Sequence, residues 1–307
     1  MINRRETLKL GAGLLTLPAV NALGEAAGSA TGDLIMKAIP SSGEQIPVIG
    51  MGTSRTFDMK GSAESLKQLT EVMQAFTAGG GTVIDSSPMY GRAEERVGDV
   101  LRGMSPGPDI FAATKVWTRG RKKGIKQMQE SQERMGTKPF DLIAVHNLKD
   151  WKTHLETLAQ WKEEGRVRYI GITTSHGRNH DDFEELMATQ TLDFVQFSYN
   201  IEDRVAQERL LPLAADRGIA TMINRPFQRG DLFDRAKGKP LPPLATELGC
   251  TSWAQFFLKY IAGHPAVTNI IPATAKPKHM RDNMQANRGV LPDAGQRVAM
   301  QTLFEKL

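Results

Sequence analysis

The sequence predicts one α/β domain built as a (β/α)8 barrel, and three observations carry that reading. Eight short apolar runs recur, at 46–53, 82–87, 110–116, 141–147, 169–174, 194–200, 219–226 and 269–274. Most are continuously apolar rather than alternating, the pattern of strands buried on both faces of a parallel sheet. Longer segments with helical spacing lie between them, and no interior linker or low-complexity tract divides the chain. The chief rival is a doubly wound open sheet, which opens on a glycine-rich turn after its first strand. Here that strand gives only Gly50-Met51-Gly52, without a third glycine or a helix directly after it.

The elements follow in order. After the first run, Leu66, Leu69, Val72, Met73 and Phe76 fall at helical spacing within 62–78, and Gly79-Gly80-Gly81 stops that helix. The second run ends at Asp85, with Tyr90 in the loop beyond. The third, FAATKVW, carries Lys115 and runs on to Trp117. RGRKKGIK at 119–126 is the one dense basic stretch and reads as a solvated loop and helix start. The fourth run, LIAVHN, carries His146. Leu155, Leu158 and Trp161 mark a helix closed by Gly165; Leu210, Leu211, Leu213 and Ala214 mark another closed by Gly218. KGKPLPP at 237–243 reads as a surface loop. LGCTSWAQFFLKY is an apolar helical pattern, with Cys250 a small buried hydrophobe.

Composition excludes several functions. The net charge of +5 comes from scattered basic residues with no interleaved aromatics, so no nucleic-acid surface is expected. A single cysteine permits neither an intrachain disulfide nor a cysteine-based zinc site. His176 and His180 are four apart but lack a third ligand, and read as a loop and helix start. The N-terminus has the layout of an export signal. Arg4 and Arg5 precede an apolar stretch at 8–20 that is too short to span a bilayer, and Ala22 offers a cleavage point. NRRETLK also resembles the twin-arginine consensus, departing from it at Asn3 and Thr7. Residues 1–31 are therefore expected to be signal peptide and linker, and 32–307 the barrel domain. The expected partner is the twin-arginine export machinery and the expected destination the bacterial periplasm. That route carries folded proteins, so the lack of disulfides does not argue for the cytoplasm.

Barrel chemistry sits at the C-terminal ends of the strands. Asp85, Tyr90, Lys115 and His146 all fall there, from three successive strands. A buried lysine needs a partner, and Asp85 is the obvious one. Tyrosine titrates too high to act freely near neutrality, and a neighbouring ammonium is expected to lower it. Tyr90 then becomes a general acid for carbonyl reduction, or a base for the reverse, with His146 orienting the substrate oxygen. No side chain supplies a hydride, so a cofactor must.

VIDSSPMYGRAEERVGDVL, ATKVW and VHN resemble the signature segments of the aldo-keto reductase family, and the resemblance runs from IPVIGMGT to IIPATAKP and the helix after it. It implies a (β/α)8 barrel using a nicotinamide cofactor, without metal, and a small carbonyl or alcohol substrate. It implies cofactor contacts at Gly52, Thr53, Thr173, Thr174, Gln196, Arg225, Thr274, Lys276, His279 and Asn283, and Trp117 at the substrate pocket. The departures are specific. Thr173-Thr174 stands where Ser-Asn is common, and Arg225 where a small hydroxyl residue is common. Asn224 stands where an aromatic residue often stacks on the nicotinamide. Ala273 and His279 replace a frequent Lys and Arg near the adenosine 2′-phosphate, with Lys276 and Lys278 to compensate. NADP(H) is favoured and NAD(H) remains open. The rival reading, prompted by Asn224, is a nicotinamide-binding regulatory or sensor subunit with little turnover. A metal-dependent barrel hydrolase is disfavoured for want of clustered His and carboxylate ligands.

Overall fold

The computed structural model describes residues 32–137 and 139–307. The export signal expected at 1–31 lies outside the described residues. The chain first forms an antiparallel hairpin, β1 (Met36–Ala38) and β2 (Gln45–Pro47). The barrel strands follow: β3 (Met51–Gly52), β4 (Val83–Asp85), β5 (Phe111–Val116), β6 (Phe140–His146), β7 (Val167–Thr173), β8 (Phe194–Ser198), β9 (Ala220–Asn224) and β10 (Asn269–Ile270). They pair in parallel in sequence order from β3 to β10. Bridges from Ile49 to Ile270 and from Gly52 to Ala273 close the ring. Gly50 and Gly52 donate their N–H groups to the Ile270 and Pro272 carbonyls at 2.8 and 3.0 Å. Closure needs a residue without a side chain: a Cβ on Gly52 would stand 2.8 Å from the Ile271 carbonyl oxygen.

All eight barrel strands arise from the eight apolar runs, with one correction. The first run, 46–53, is two strands. Its leading part pairs with β1 as a hairpin arm, and only Met51–Gly52 joins the barrel. Pro47 has no N–H to donate to the ladder; the Val48 N–H makes one more bond, to the Ile35 carbonyl at 2.9 Å, and the chain bends at Val48 toward the barrel. The periodicity of one apolar run cannot reveal which partner each half will find.

Two layers of core result. Inside the barrel, Val83, Phe111, Leu142, Tyr169, Phe194 and Met222 interdigitate, and Ile39 and Ile46 of the hairpin close the N-terminal end. Between strands and helices lies a larger core that includes Ile84, Ile143, Val145 and Phe197. Along β5, Ala113 belongs to the inner core and Ala112 and Val116 to the outer. That alternation decides which side chains reach the rim.

The helices match their sequence signals. α1 (Ala63–Ala78) starts at the N-cap Ser62, whose side chain accepts the Ser65 N–H, and ends at Gly79. α2 (Ala93–Gly103) and α3 (Arg121–Met135) follow, the latter beginning in the basic stretch. α4 (Trp151–Glu163) gives way to Gly165 and α6 (Leu210–Asp216) to Gly218, both glycines at left-handed φ, after α5 (His180–Thr189). Two short helices, α7 (Asp231–Ala236) and α8 (Pro243–Glu247), precede α9 (Trp253–Ala262), which is buried from Ala254 to its end. Cys250, just before α9, is buried, and burial pushes its thiol up to about 11. α10 (Pro277–Gln285) and α11 (Ala294–Glu305) complete the chain. No helix among the described residues is long and apolar enough to cross a membrane.

Candidate active site

Asp85 is the last residue of β4, Lys115 sits near the end of β5 and His146 ends β6. Tyr90 lies in the turn between β4 and α2, whose N–H donates to the Ser87 carbonyl at 3.0 Å. The four side chains therefore meet at the C-terminal rim of three neighbouring strands. Lys115 is fully buried, and its ammonium donates to Asp85 Oδ1 at 2.6 Å, to Asp85 Oδ2 at 2.7 Å and to the Ser86 carbonyl at 2.9 Å. Its Nζ lies 5.2 Å from the centroid of the Tyr90 ring. Tyr90 meets His146 edge to face, with centroids 5.8 Å apart. Ser87 Oγ lies 3.1 Å from His146 Nδ1 and accepts the Met89 N–H.

The electrostatics differ from the sequence expectation at one residue. Burial raises the Tyr90 phenol above its ordinary value; Lys115 pulls it down, Asp85 pushes it up, and burial prevails. Asp85 screens the ammonium that was expected to make the phenol more acidic. Burial also opposes the charge on Lys115, but Asp85 and the Tyr90 oxygen more than offset it and the lysine stays protonated. Burial, then the Lys115 charge, lowers His146 to about 3, so its imidazole is neutral near pH 7. The site holds a protonated phenol, a fixed ammonium and a neutral imidazole.

The other predicted residues are distributed around the rim. Gly52 ends β3 and Thr53 follows it; the Thr53 hydroxyl is buried and donates to the Asp85 carbonyl at 3.0 Å and to Ser86 Oγ at 2.9 Å. Thr173 ends β7. Thr174 follows it, and its hydroxyl donates to the Arg178 carbonyl at 2.7 Å. Gln196 on β8 donates to Asp85 Oδ1 at 3.1 Å and to Met222 Sδ at 3.0 Å, which joins it to the Lys115 pair. Asn224 accepts from Ser198 Oγ at 2.7 Å and donates to the Thr174 carbonyl at 2.9 Å, so its amide is locked. Thr274 accepts the Lys276 N–H at 3.1 Å where the chain enters α10. Asn283 is buried on that helix, and Lys276 and His279 are exposed. Trp117 stands just beyond β5, half-buried.

Sequence reasoning missed a cationic cluster on this rim. Arg225 donates to His176 Nε2 at 2.6 Å and to Gln228 Oε1 at 2.7 Å, while its Nε is buried without a partner. Burial, then the charges of Arg225, Arg229, Arg178 and Arg55, lowers His176 to about 4. Arg55, His176, Arg225, Gln228 and Arg229 all take left-handed φ, between 47° and 65°. Strained backbone of this kind concentrates at ligand-binding rims. Three separate loops contribute, so no local motif could have announced the cluster. Among the described residues no group of three potential metal ligands occurs, and His176 and His180 form none.

The comparisons agree with this architecture. The chain is 26% identical over 211 residues to aldo-keto reductase YhdN of Bacillus subtilis, and the match covers 62% of each chain. It is 29% identical over 266 residues to the NADH-specific methylglyoxal reductase of Escherichia coli, covering 69% of this chain and 80% of that one. A crystal structure of an aldo/keto reductase from Klebsiella pneumoniae in complex with NADP and acetate superposes with a TM-score of 0.71. It shares 22% identity and covers 87% of this chain and 95% of that one. The model of the aldo/keto reductase family matches residues 48–295, from the strand that closes the barrel to the start of its last helix, and the chain belongs to that family.

Proposed function

We propose that the protein is an NAD(P)H-dependent oxidoreductase that reduces an aldehyde or ketone to an alcohol, or runs the reverse reaction. The observation that carries the reading is the buried Asp85–Lys115 pair beneath a protonated Tyr90, beside a neutral His146. A reduced nicotinamide, when bound, supplies the hydride. Tyr90 gives its phenolic proton to the carbonyl oxygen as negative charge develops there, and Lys115 stabilises the phenolate left behind. Asp85 holds the ammonium in place and keeps it charged. With the Ser87 hydroxyl donating to His146 Nδ1, the ring proton stands on Nε2 and orients the substrate oxygen.

The residues present fit an anionic nucleotide. Arg55, Arg178, Arg225 and Arg229 gather around His176 and make no ion pair among the described residues, and the buried Arg225 Nε is unpartnered. Such a concentration of charge favours a phosphate-bearing partner. Gly52, Thr53, Thr173, Thr174, Gln196 and Arg225 would line the cofactor toward the barrel axis, and Thr274, Lys276, His279 and Asn283 toward its adenosine end. NADP(H) is the favoured cofactor and NAD(H) the second. A nicotinamide-binding regulatory or sensor subunit is the alternative, supported by Asn224, whose locked amide offers no ring for stacking.

The test is a fluorescence titration of the purified protein with NADPH and NADH, followed by a panel of simple aldehydes with Tyr90→Phe as control. The expected result is tight binding in both proteins and a kcat lower by about 10²–10⁴ in the variant. Tight binding without turnover in the native protein would favour the regulatory reading. Binding of neither cofactor would overturn both.

We also propose export to the bacterial periplasm by the twin-arginine machinery. Its support is the sequence of residues 1–31: Arg4-Arg5, the short apolar stretch and Ala22. Fractionation of an Arg4→Lys/Arg5→Lys variant checks it.

A further inference from the structure

The strand register continues past the catalytic rim. On β5, Ala113 belongs to the inner core and Lys115 meets Asp85, while Thr114 turns outward to Glu94. Trp117, two residues beyond Lys115, continues the inward register. β5 and β6 pair Lys115 with Ala144 and Val116 with Val145, which sets Trp117 beside His146 at the mouth. Its backbone is anchored there, the N–H donating to Gln127 Oε1 at 2.6 Å.

After His146 the chain doubles back. The Lys149 N–H donates to the His146 carbonyl at 3.2 Å. The two residues between, Asn147 and Leu148, have φ of 51° and 54°. Two consecutive left-handed residues that both carry a Cβ are costly. Burial of Leu148 in the outer core holds the turn. Its consequence is that Lys149 Nζ rests 3.5 Å from the centroid of the Trp117 ring.

Lys149 makes no ion pair among the described residues, and the carboxylates on the adjoining loops accept hydrogen bonds from neutral groups rather than from its ammonium. Asp58 accepts the Arg92 N–H at 3.0 Å. Asp150 accepts the Gly120 N–H at 2.6 Å and the Thr153 hydroxyl at 2.9 Å. Lys115 is matched by Asp85, and His146 is neutral. Lys149 therefore presents an ammonium without an ion-pair partner on an aromatic face, and the strand register sets that face beside the residue that orients the carbonyl.

Building on the reductase reading, we propose that Lys149, seated on Trp117, selects carbonyl substrates that bear a carboxylate a short distance from the reacting group. The indole receives the carbon skeleton and the ammonium the anion.

The test compares 4-carboxybenzaldehyde with its methyl ester in the native protein, Lys149→Met and Lys149→Arg, following NADPH oxidation. The native protein is expected to prefer the acid by roughly tenfold in kcat/KM. Lys149→Met should abolish the preference by raising KM for the acid while kcat stays within about twofold, as for loss of ground-state binding. Lys149→Arg should keep it. An acid-to-ester ratio near one in the native protein, or one unchanged in Lys149→Met, would overturn the proposal. Calorimetric titration with benzoate provides a readout that does not need turnover. If neither aldehyde is reduced but benzoate binds and Lys149→Met weakens it, the anion selection holds and the reductase reading fails. Benzoate binding that is absent or indifferent to residue 149 overturns the selection itself.

Discussion

Tyr90 keeps its proton because burial outweighs the ammonium beside it. The identities of Asp85, Tyr90, Lys115 and His146 were legible, since a phenol, an amine, an acid and an imidazole at successive strand ends suggest one chemistry. The balance among them was not, because it depends on how far Asp85 screens Lys115. A pH dependence follows. Reduction needs the phenol protonated, and a raised pKa keeps it so through the neutral range, with activity lost only above the ordinary tyrosine range. His146, lowered to about 3, adds no transition near neutrality. The rate profile of kcat/KM for reduction should be flat from about pH 5 to about pH 8. A limb near pH 6.5 would show that a histidine titrates in the site.

At the scale of elements, β5 is held from both sides. Lys115 faces the lumen, and the preceding Thr114 faces Glu94 of α2. Glu94 is buried and accepts from Thr114 Oγ1 at 2.6 Å, Ser131 Oγ at 3.0 Å and Arg134 Nε at 2.9 Å, which ties α2 and α3 to the strand. Removing one member of such a network leaves buried donors without an acceptor. Glu94→Ala should therefore cost about 1–3 kcal/mol in denaturant unfolding, and Glu94→Gln less. A loss under about 1 kcal/mol, the range of an exposed pair, would show that water replaces the carboxylate. Strands such as β6 and β8 were readable because both faces are buried and the run is continuously apolar. The β1–β2 hairpin was not, since its partner choice depends on a contact across the barrel floor, where Ile39 and Ile46 join the inner core.

For the whole molecule, closure is the governing event. β3, near the start of the domain, bonds to the chain around β10, near its end. The residues proposed to line the cofactor come from both regions, so the site is complete only when the domain is. A cofactor taken up in the cytoplasm would leave the cell only inside a folded barrel, which fits a twin-arginine route. The Arg4→Lys/Arg5→Lys variant should accumulate folded in the cytoplasm while the native protein is recovered from the periplasm. Equal distribution of the two would overturn export by this route.

Read alone, the sequence determined the alternation of strands and helices, the breaks at glycine, and the chemical types at the strand ends. These are local properties, written in burial period and side-chain identity. Tertiary structure decided the closure through Gly52 and the split of the first apolar run. It also decided the pKa of Tyr90, the arginines gathered around His176 and the return of Lys149 onto Trp117. Each of these depends on distances between groups that folding alone brings together, and no local pattern encodes them.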